Sequence, residues 1–507
     1  MDKEADGRAE RSARSGPPPV ALREWAVVVF AGVTIAFTAW GFAGVITWSL
    51  HTLLVGGLLT FALAILPLPA RMNGSDGQHG NGMNLKRLLR FPFFWFALAF
   101  LVYITIQGLN PAWVQVWSDA GWWMEERTPP VSWLPTGVDT LYDPMNAFRI
   151  LSGYAAAFSL VAGIWVGVRR RISVFVLLWV FVGNGVAMAV VAILQRFTGA
   201  EAVLWLIESA NENFWGSFFY RNQAVAYLNL ILTTSAALYF YYYNRAEERA
   251  QNGGPHLLLF VFCIMVATSL GLAVSRGGII FGGFLLALFV VLVLGRWVFS
   301  RSLRGSILLS LILTLFFAGG SYYIVRNINW ADIEARFGDV GETISNAEDD
   351  ARALTTRATW NMAKDDWVTG YGAGSFRYIF PMYQDSFPEI YYSRYHPRKG
   401  WIGRRFYRYA HNDIVQFLAE YGAIGYSFLA LAVGSLLVPL VFQSAGNRLT
   451  AFMIVAGVGA ALVHAFVDFI FHSPTYLVAF FAMLCLIVKL LALERERGQR
   501  RQVALPG

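Results

Sequence analysis

A histidine at the start of a polar helix is the strongest candidate for proton transfer in this chain. His411 comes directly before Asn412, a predicted helix N-cap. The i, i+4 spacing places more polar side chains on the same helix face as Asn412, namely Asp413, Gln416 and Glu420. Histidine has an ordinary pKa of about 6.5, which suits removal of a proton from an attacking hydroxyl at neutral pH. A lone histidine is also often structural, and periodicity does not fix where this ring points.

Two arginines stand at the mouths of apolar segments. Arg276 lies in a very short turn between two such segments, and Arg221 precedes Asn222 at the start of another. A guanidinium directs two donors at phosphate oxygens, and a helix N-terminus beside it adds a positive dipole end. We therefore expect Arg221 and Arg276, with Arg357 or Arg377, to bind a lipid-linked diphosphate. The alternative for a single interfacial arginine is contact with lipid headgroups.

Three ionisable residues recur at i, i+4, i+8 near the end of one apolar segment. They are His464, Asp468 and His472, and on a continuous helix they would share one face. Such a face could bind a metal. No fourth ligand or cysteine cluster accompanies it, so a hydrogen-bonded network that supports a neighbouring site is the favoured interpretation, and we expect no metal.

A glycine run at 370–374 superficially suggests nucleotide binding. Its glycines alternate with other residues, but the strand, turn and helix of a nucleotide-binding unit are not predicted around them. We reject nucleotide binding and expect a turn-rich segment here.

The composition requires that these residues be positioned by membrane-spanning helices. Of 507 residues, 56% are hydrophobic and only 14% are charged, whereas soluble domains carry about 25% charged residues. The apolar residues form about twelve blocks, each long enough to cross about 30 Å of hydrocarbon. The predicted fold is therefore an all-α polytopic membrane protein. Its predicted spans lie at 24–43, 46–67, 91–108, 146–167, 173–195, 222–243, 255–274, 278–297, 306–325, 422–441, 449–471 and 474–491.

The distribution of Lys and Arg predicts the orientation. With the N-terminus in the cytoplasm, most basic residues fall in inner segments, as the positive-inside rule requires. The net charge of +8 is thus a topology signal, and nucleic-acid binding is not expected. The division that follows is a cytoplasmic tail (1–23), helices 1–9 (24–325), a large periplasmic insert ending in an interfacial helix (326–421), helices 10–12 (422–492) and a second cytoplasmic tail (493–507).

A tryptophan-rich outer segment spans about 109–145. It holds five tryptophans among several carboxylates. Tryptophan is enriched at membrane interfaces. We therefore interpret the segment as an interfacial aromatic belt.

In their order along the chain, these motifs resemble the O-antigen ligase and polymerase family. The resemblance covers about 218–475 and is weak in the first 145 residues. One departure is that the family often has a second asparagine where this chain has Tyr220-Arg221. The residues that carry the resemblance are Arg221-Asn222, Ser275-Arg276-Gly277, Arg357-x-x-x-Trp360, Gly370-x-Gly372-x-Gly374-x-Phe376, His411-Asn412, Glu420-x-Gly422-x-x-Gly425 and His464-x-x-x-Asp468-Phe469.

The resemblance implies a multi-pass enzyme of the bacterial inner membrane with its active site facing the periplasm. Such enzymes move a glycan from an undecaprenyl-diphosphate carrier to an acceptor hydroxyl and use no cofactor. Carried over, Arg221 and Arg276 would bind the diphosphate, and His411 would activate the acceptor. The acceptor, which is a lipid core, a growing glycan or a protein, is not identified.

A transporter or flippase of lipid-linked glycans is the main alternative. It predicts ionisable residues along a pathway at the membrane midplane. The sequence instead places them at the outer rim, which favours the enzyme. A non-enzymatic scaffold would give no reason for arginines at the span mouths.

Overall fold

The computed structural model describes residues 20–73, 81–119, 121–209, 211–251, 253–299 and 351–503. In these ranges, eleven helices are long and apolar enough to cross a membrane, which confirms the all-α polytopic class. The helices are α1 (Leu22–Trp40), α2 (Thr47–Ile65), α3 (Asn81–Leu89), α4 (Pro92–Leu109), α5 (Ala147–Gly167), α6 (Arg171–Phe197), α7 (Arg221–Glu248), α8 (Pro255–Leu272), α9 (Arg276–Phe299), α10 (Ala351–Asp365), α11 (Phe376–Ile379), α12 (Pro381–Gln384), α13 (Pro388–Tyr391), α14 (Asp413–Val441), α15 (Arg448–Ala465) and α16 (Pro474–Val503).

Eleven of the twelve predicted spans correspond to these long helices. The remaining one, 306–325, lies outside the described residues, as does the first part of the predicted insert. The predicted interfacial helix and the tenth span form one element, α14, which is interrupted at Gly422 with φ of 60°. The Asn412 side chain caps this helix by accepting the N–H of Val415 at 3.1 Å, so the predicted cap and break are both confirmed.

Helix α15 ends at Ala465, so the prediction that it continues to 471 is wrong. Asp468 and His472 consequently do not share a helix face with His464. One physical reason is local: the Asp468 carboxylate accepts the N–H of its neighbour Phe469 at 2.9 Å. Such short side-chain contacts compete with continued helix.

Two helices form the centre of the bundle. The apolar windows of α7 and α16 are 100% and 89% buried, as expected for helices that other helices surround on every side. Small residues allow close approach elsewhere: a Cβ on Gly57 of α2 would lie 2.4 Å from the carbonyl oxygen of Ala156 in α5. Close packing at glycine is the usual way in which membrane helices associate.

Short strands lie between the helices at one end of the bundle. They are β1 (Pro111–Ser118), β2 (Gly121–Glu126), β3 (Gly137–Asp139), β4 (Ala202–Val203), β5 (Ile207–Glu208), β6 (Tyr392–His396) and β7 (Gly400–Arg404). β1 pairs antiparallel with β2 and parallel with β3, and the other four strands form two antiparallel pairs.

The tryptophan-rich segment is more than an interfacial belt. It contributes β1 and β2, and the Trp122 ring packs edge-on against Tyr378 with centroids 5.6 Å apart. Trp117, Trp123 and Trp133 are exposed. The hairpin therefore packs through Trp122 on the segment that carries Tyr378, while Trp117 and Trp123 remain exposed.

Connections alternate between the two ends of the bundle. We call the end that carries 110–146, 198–220, 366–412 and 466–473 the insert end. At the opposite end, Arg23 donates to the carbonyl oxygens of Ala64 and Leu66 at 2.8 Å each, which ties the start of α1 to the end of α2. The candidate residues named from the sequence lie mainly at the insert end, as the alternation of loops predicts.

Candidate functional site

His411 and Asp468 meet at the insert end. The His411 Nδ1 lies 3.6 Å from the Asp468 Oδ1, and the two side chains are 26% and 3% exposed. The backbone also joins the two segments, because the Asp413 N–H donates to the Asp468 carbonyl oxygen at 3.3 Å. His411 has φ of 54°, a left-handed conformation that is uncommon outside glycine and asparagine. This conformation directs the ring toward Asp468 just before α14 begins.

The start of α7 supplies further partners for Asp468. Asn222 Nδ2 forms a hydrogen bond to the carboxylate, and the Tyr220 hydroxyl lies 3.4 Å from both carboxylate oxygens. Burial and the neighbouring Asp468 raise the pKa of Tyr220 far above its ordinary value. The phenol therefore stays protonated and donates to Asp468.

Asp468 remains a carboxylate despite its burial. Burial alone would raise its pKa, but the neighbouring His411, together with His464 and Arg352, outweighs burial and lowers the pKa below the ordinary value. The site therefore contains a fixed negative charge beside a histidine ring that is partly open to solvent.

The Ser275-Arg276-Gly277 motif has a separate structural reason for each residue. Ser275 Oγ accepts the N–H of Gly278 at 3.3 Å, and the same hydroxyl donates to Asn222 Oδ1 at 2.7 Å. It therefore caps α9 and ties that helix to the start of α7. Gly277 has no room for a side chain, since a Cβ there would lie 2.5 Å from His464 Nε2. Arg276, between them, is exposed.

A further arginine lies beside Asp468, and sequence reasoning missed it. Arg352 is the second residue of α10 and donates to the carbonyl oxygen of Val467, the residue before Asp468, at 3.4 Å. The two residues in this contact are 115 positions apart in the chain, so no local pattern in the sequence indicated it.

The structure separates the other predicted arginines. Tyr220 is extended, with φ of −127° and ψ of 114°, and Tyr220 and Asn222 both reach Asp468. Arg221, between them, lies on the other side of the chain, where it lines a separate cavity. The backbone N–H of Arg221 donates to the Asn213 carbonyl oxygen at 2.9 Å, so it is not open to a ligand. A ligand at this helix start would instead contact the Arg221 guanidinium and the positive end of the helix dipole.

Arg357 and Arg377 occupy other positions. Arg357 is exposed on α10, five residues after Arg352, which places it about 140° further round the helix. Arg377 forms an ion pair with Asp143 at 2.8 Å, and Tyr378 donates to the same carboxylate at 2.8 Å. Arg377 thus holds the insert-end segments together, and its predicted contribution to a diphosphate site is not supported by this geometry.

A buried polar network lies behind His411. Gln416 Oε1 accepts the N–H of Ala410 at 2.8 Å, and Gln416 Nε2 donates to Glu420 Oε1 at 3.0 Å. The remaining Gln416 donor lies 2.9 Å from His472 Nε2, which must therefore be unprotonated. His472 then carries its proton on Nδ1 and donates it to Asp413 Oδ1 at 2.6 Å. The network fixes the backbone that leads into His411.

The glycine run at 370–374 encloses Glu420. The N–H of Gly374 donates to Glu420 Oε2 at 3.1 Å, and the N–H of Gly372 donates to the Glu420 carbonyl oxygen at 2.8 Å. Gly370, Gly372 and Gly374 all have positive φ. The run is a turn around a helix carboxylate, as the prediction of a turn-rich segment here expects.

His464 belongs to the packing of helices α9 and α15. Its ring stacks on Phe281 with centroids 4.8 Å apart and an interplanar angle of 28°. Over the described ranges, no three His, Cys, Asp or Glu residues are grouped closely enough to hold a metal ion. His464, Asp468 and His472 contact three different sets of partners.

Comparison with known proteins finds a family match. The family model described as O-antigen ligase matches residues 258–430. This part of the chain is therefore similar to the O-antigen ligase family, which confirms the resemblance noted from the sequence. The match includes Arg276 and His411, whereas Arg221 and Asp468 lie on either side of it. No curated protein matches the chain.

Proposed function

We propose that this protein transfers a glycan from an undecaprenyl-diphosphate carrier to an acceptor hydroxyl at the periplasmic face of the bacterial inner membrane. The observation that carries the proposal is the pairing of His411 with the buried Asp468 carboxylate, 3.6 Å apart, with Arg352 beside the turn that carries Asp468. The similarity of residues 258–430 to the O-antigen ligase family supports the reaction class.

His411 is proposed as the general base. Its Nδ1 faces Asp468, which leaves Nε2 to accept a proton from the acceptor hydroxyl. The acceptor oxygen forms a bond to the anomeric carbon, and the bond from that carbon to the diphosphate oxygen breaks. The bonding electrons leave with the carrier diphosphate, and the proton is held on His411. General-base catalysis of this kind contributes about 10²–10⁴-fold.

Arginines are proposed to stabilise the departing diphosphate. Arg276 is exposed at the first turn of α9, where the helix dipole adds positive potential. Arg352 lies beside the Asp468 turn and is a better placed partner than Arg357, which we predicted from the sequence. Arg221, which we also predicted from the sequence, lines the separate cavity on the other side of the α7 start and is not assigned to this group. Fixed positive groups aimed at developing negative charge are a major source of rate acceleration.

Asp468 is proposed as a positioning residue and not as a ligand of the diphosphate. Its carboxylate is 97% buried by side-chain area, and Tyr220, Asn222 and the Phe469 N–H occupy it. These partners keep its charge directed at His411. Two further residues act at a greater distance. Asn412 caps the helix that follows His411, and Glu420 belongs to the polar network behind His411.

Binding of a membrane lipid is consistent with the shape of the protein. The site lies at the ends of membrane-spanning helices, so the carrier's polyprenyl tail would lie along the bundle with its diphosphate at the interface. The excess of basic residues at the opposite end predicts that the insert end faces the periplasm. The acceptor is a glycan, a lipid core or a protein hydroxyl.

The proposal is tested with full-length protein in proteoliposomes supplied with an undecaprenyl-diphosphate-linked oligosaccharide and a hydroxyl acceptor. We expect free undecaprenyl diphosphate and a glycosylated acceptor to form together. Movement of the intact lipid-linked glycan across the bilayer, with no carrier released, would instead identify a flippase.

A further inference from the structure

A polar cavity lies beside the start of α7, on the side away from His411. Its volume is about 270 Å³, close to the lower limit of about 300 Å³ for typical small-molecule sites. It is bounded by the end of α6, the loop before α7 and the turn between α8 and α9. The Arg221 side chain forms part of its wall. None of the site residues predicted from the sequence lines this cavity except Arg221.

The end of α6 contributes an unsatisfied acceptor. Gln195 lines the cavity and is only 3% exposed. Its Nε2 donates to the Ala202 carbonyl oxygen at 3.4 Å, whereas its Oε1 is buried and accepts no hydrogen bond from the described residues. A buried carbonyl oxygen that accepts no hydrogen bond is unfavourable, because it has lost its contact with water. A ligand that supplies a donor would therefore be favoured at this position.

The remaining lining has the composition of a sugar site. Glu212 adds a second acceptor, Arg196 and Arg221 add donors, and Trp215 and Phe214 add aromatic surface. A site for a fully ionised diphosphate would not be expected to include a carboxylate, because like charges repel. A sugar fits this mixture of side chains. Its hydroxyl groups both donate and accept hydrogen bonds, and the C–H groups of its ring pack on aromatic surface.

The position of the cavity relates it to the proposed reaction. Tyr220 and Asn222 reach the Asp468 carboxylate, while Arg221 between them lines the cavity. The two sites therefore flank the same three residues at the start of α7. The anomeric carbon of the first sugar must stay within reach of His411, so a glycan that extends from there past the start of α7 would bring its second sugar to the cavity.

We infer that this cavity binds the second sugar residue of the donor glycan, counted from the diphosphate. The inference rests on the proposed function, because it requires a lipid-linked glycan as donor. It adds a specificity site: the enzyme would distinguish a sugar-bearing carrier from the bare carrier through Gln195 and Glu212.

The test compares the affinity of detergent-purified, full-length protein for two lipids. These are undecaprenyl diphosphate and undecaprenyl diphosphate that carries a disaccharide of N-acetylglucosamine. We expect the wild type to bind the sugar-bearing lipid at least tenfold more tightly. Gln195→Leu and Glu212→Gln should each reduce that preference by about tenfold and leave the affinity for the bare lipid unchanged.

The control is Glu208→Gln, which removes an exposed carboxylate nearby on β5 that does not line the cavity. It should keep the full preference. Glu212 is exposed, so its variant tests the inference even if Gln195→Leu is poorly folded. An unchanged preference in Glu212→Gln, or an equal loss for both lipids, would overturn the inference alone. A wild type that binds neither lipid would overturn the proposed function as well.

Discussion

The His411 Nδ1 faces the buried Asp468 carboxylate at 3.6 Å, although the two residues come from different ends of neighbouring helices. His411 precedes α14, and Asp468 follows α15. The distance is longer than a hydrogen bond, which is common for catalytic pairs before substrate binds. Asp468 is held by its own set of partners, so a direct hydrogen bond between the two side chains would require the His411 ring to move.

Asp468→Asn should slow glycan transfer by about 100-fold. The neutral amide would not favour the His411 tautomer that carries its proton on Nδ1, and it would not stabilise the positive charge that forms when Nε2 accepts the acceptor's proton. The effect should fall on kcat, with little change in KM for the donor, since Asp468 does not touch the diphosphate. Steady-state kinetics in proteoliposomes measure the two constants. A change confined to KM would contradict the positioning role.

Arg276→Ala should raise KM for the lipid-linked donor by about 10–100-fold, because a guanidinium on a phosphate contributes about 1.5–3 kcal/mol. Arg276→Lys should recover part of the loss, since a lysine keeps the charge but not the fork of donors. The matched control is Arg127→Ala, an exposed arginine at the same end that pairs with Glu125 at 3.4 Å. Equal losses in Arg276→Ala and Arg127→Ala would indicate a general surface-charge effect.

Gly374→Ala should destabilise the protein severely. Its φ is 74°, and an added Cβ would lie 1.7 Å from the carbonyl oxygen of Met145. Gly400→Ala is the control, with a similar φ of 71° but open space around it; it should cost only the backbone strain of about 1–2 kcal/mol. Thermal unfolding followed by tryptophan fluorescence compares them. Similar melting temperatures for the two variants would contradict the close packing of this turn.

Asp468 should also contribute to stability in a pH-dependent way. Its pKa is lowered in the folded protein, so folding favours its charged form. The stabilisation is then fully present above the unfolded value of about 3.9 and is lost as the pH falls through the lower folded pKa. The melting-temperature difference between wild type and Asp468→Asn should therefore be constant from pH 7 to about 4 and shrink below that. A difference that shrinks already between pH 7 and 5 would contradict the lowered pKa.

The positions of the spans were predictable because hydropathy alone defines them. Asn412 and Gly422 were predictable for a similar reason, since an N-cap and a helix break depend on local chemistry. The turn after Ala465 was not. The apolar pattern continues through Phe466 and Val467, and only the local contact of the Asp468 carboxylate with the Phe469 N–H marks the change.

Contacts between distant segments were the least predictable part of the site. The Tyr220 hydroxyl and Asp468 are 248 residues apart in the chain, and Ser275 and Asn222 are 53 apart. Periodicity carries no information on such pairs. A weak signal did exist: Tyr220 and Asn222 flank Arg221 at i, i+2 spacing, which places them on one side of an extended segment and Arg221 on the other.

The most direct test of the account is the transfer activity of His411→Ala in proteoliposomes with the undecaprenyl-diphosphate-linked oligosaccharide and acceptor. The control is His51→Ala, a histidine near the same end that bonds to the Tyr142 hydroxyl at 3.0 Å, away from the site. We predict a loss of about 10³-fold in the rate of carrier release for His411→Ala, with normal abundance and donor affinity, and a normal rate for His51→Ala. Transfer by His411→Ala at the wild-type rate would contradict the assignment of His411 as the base.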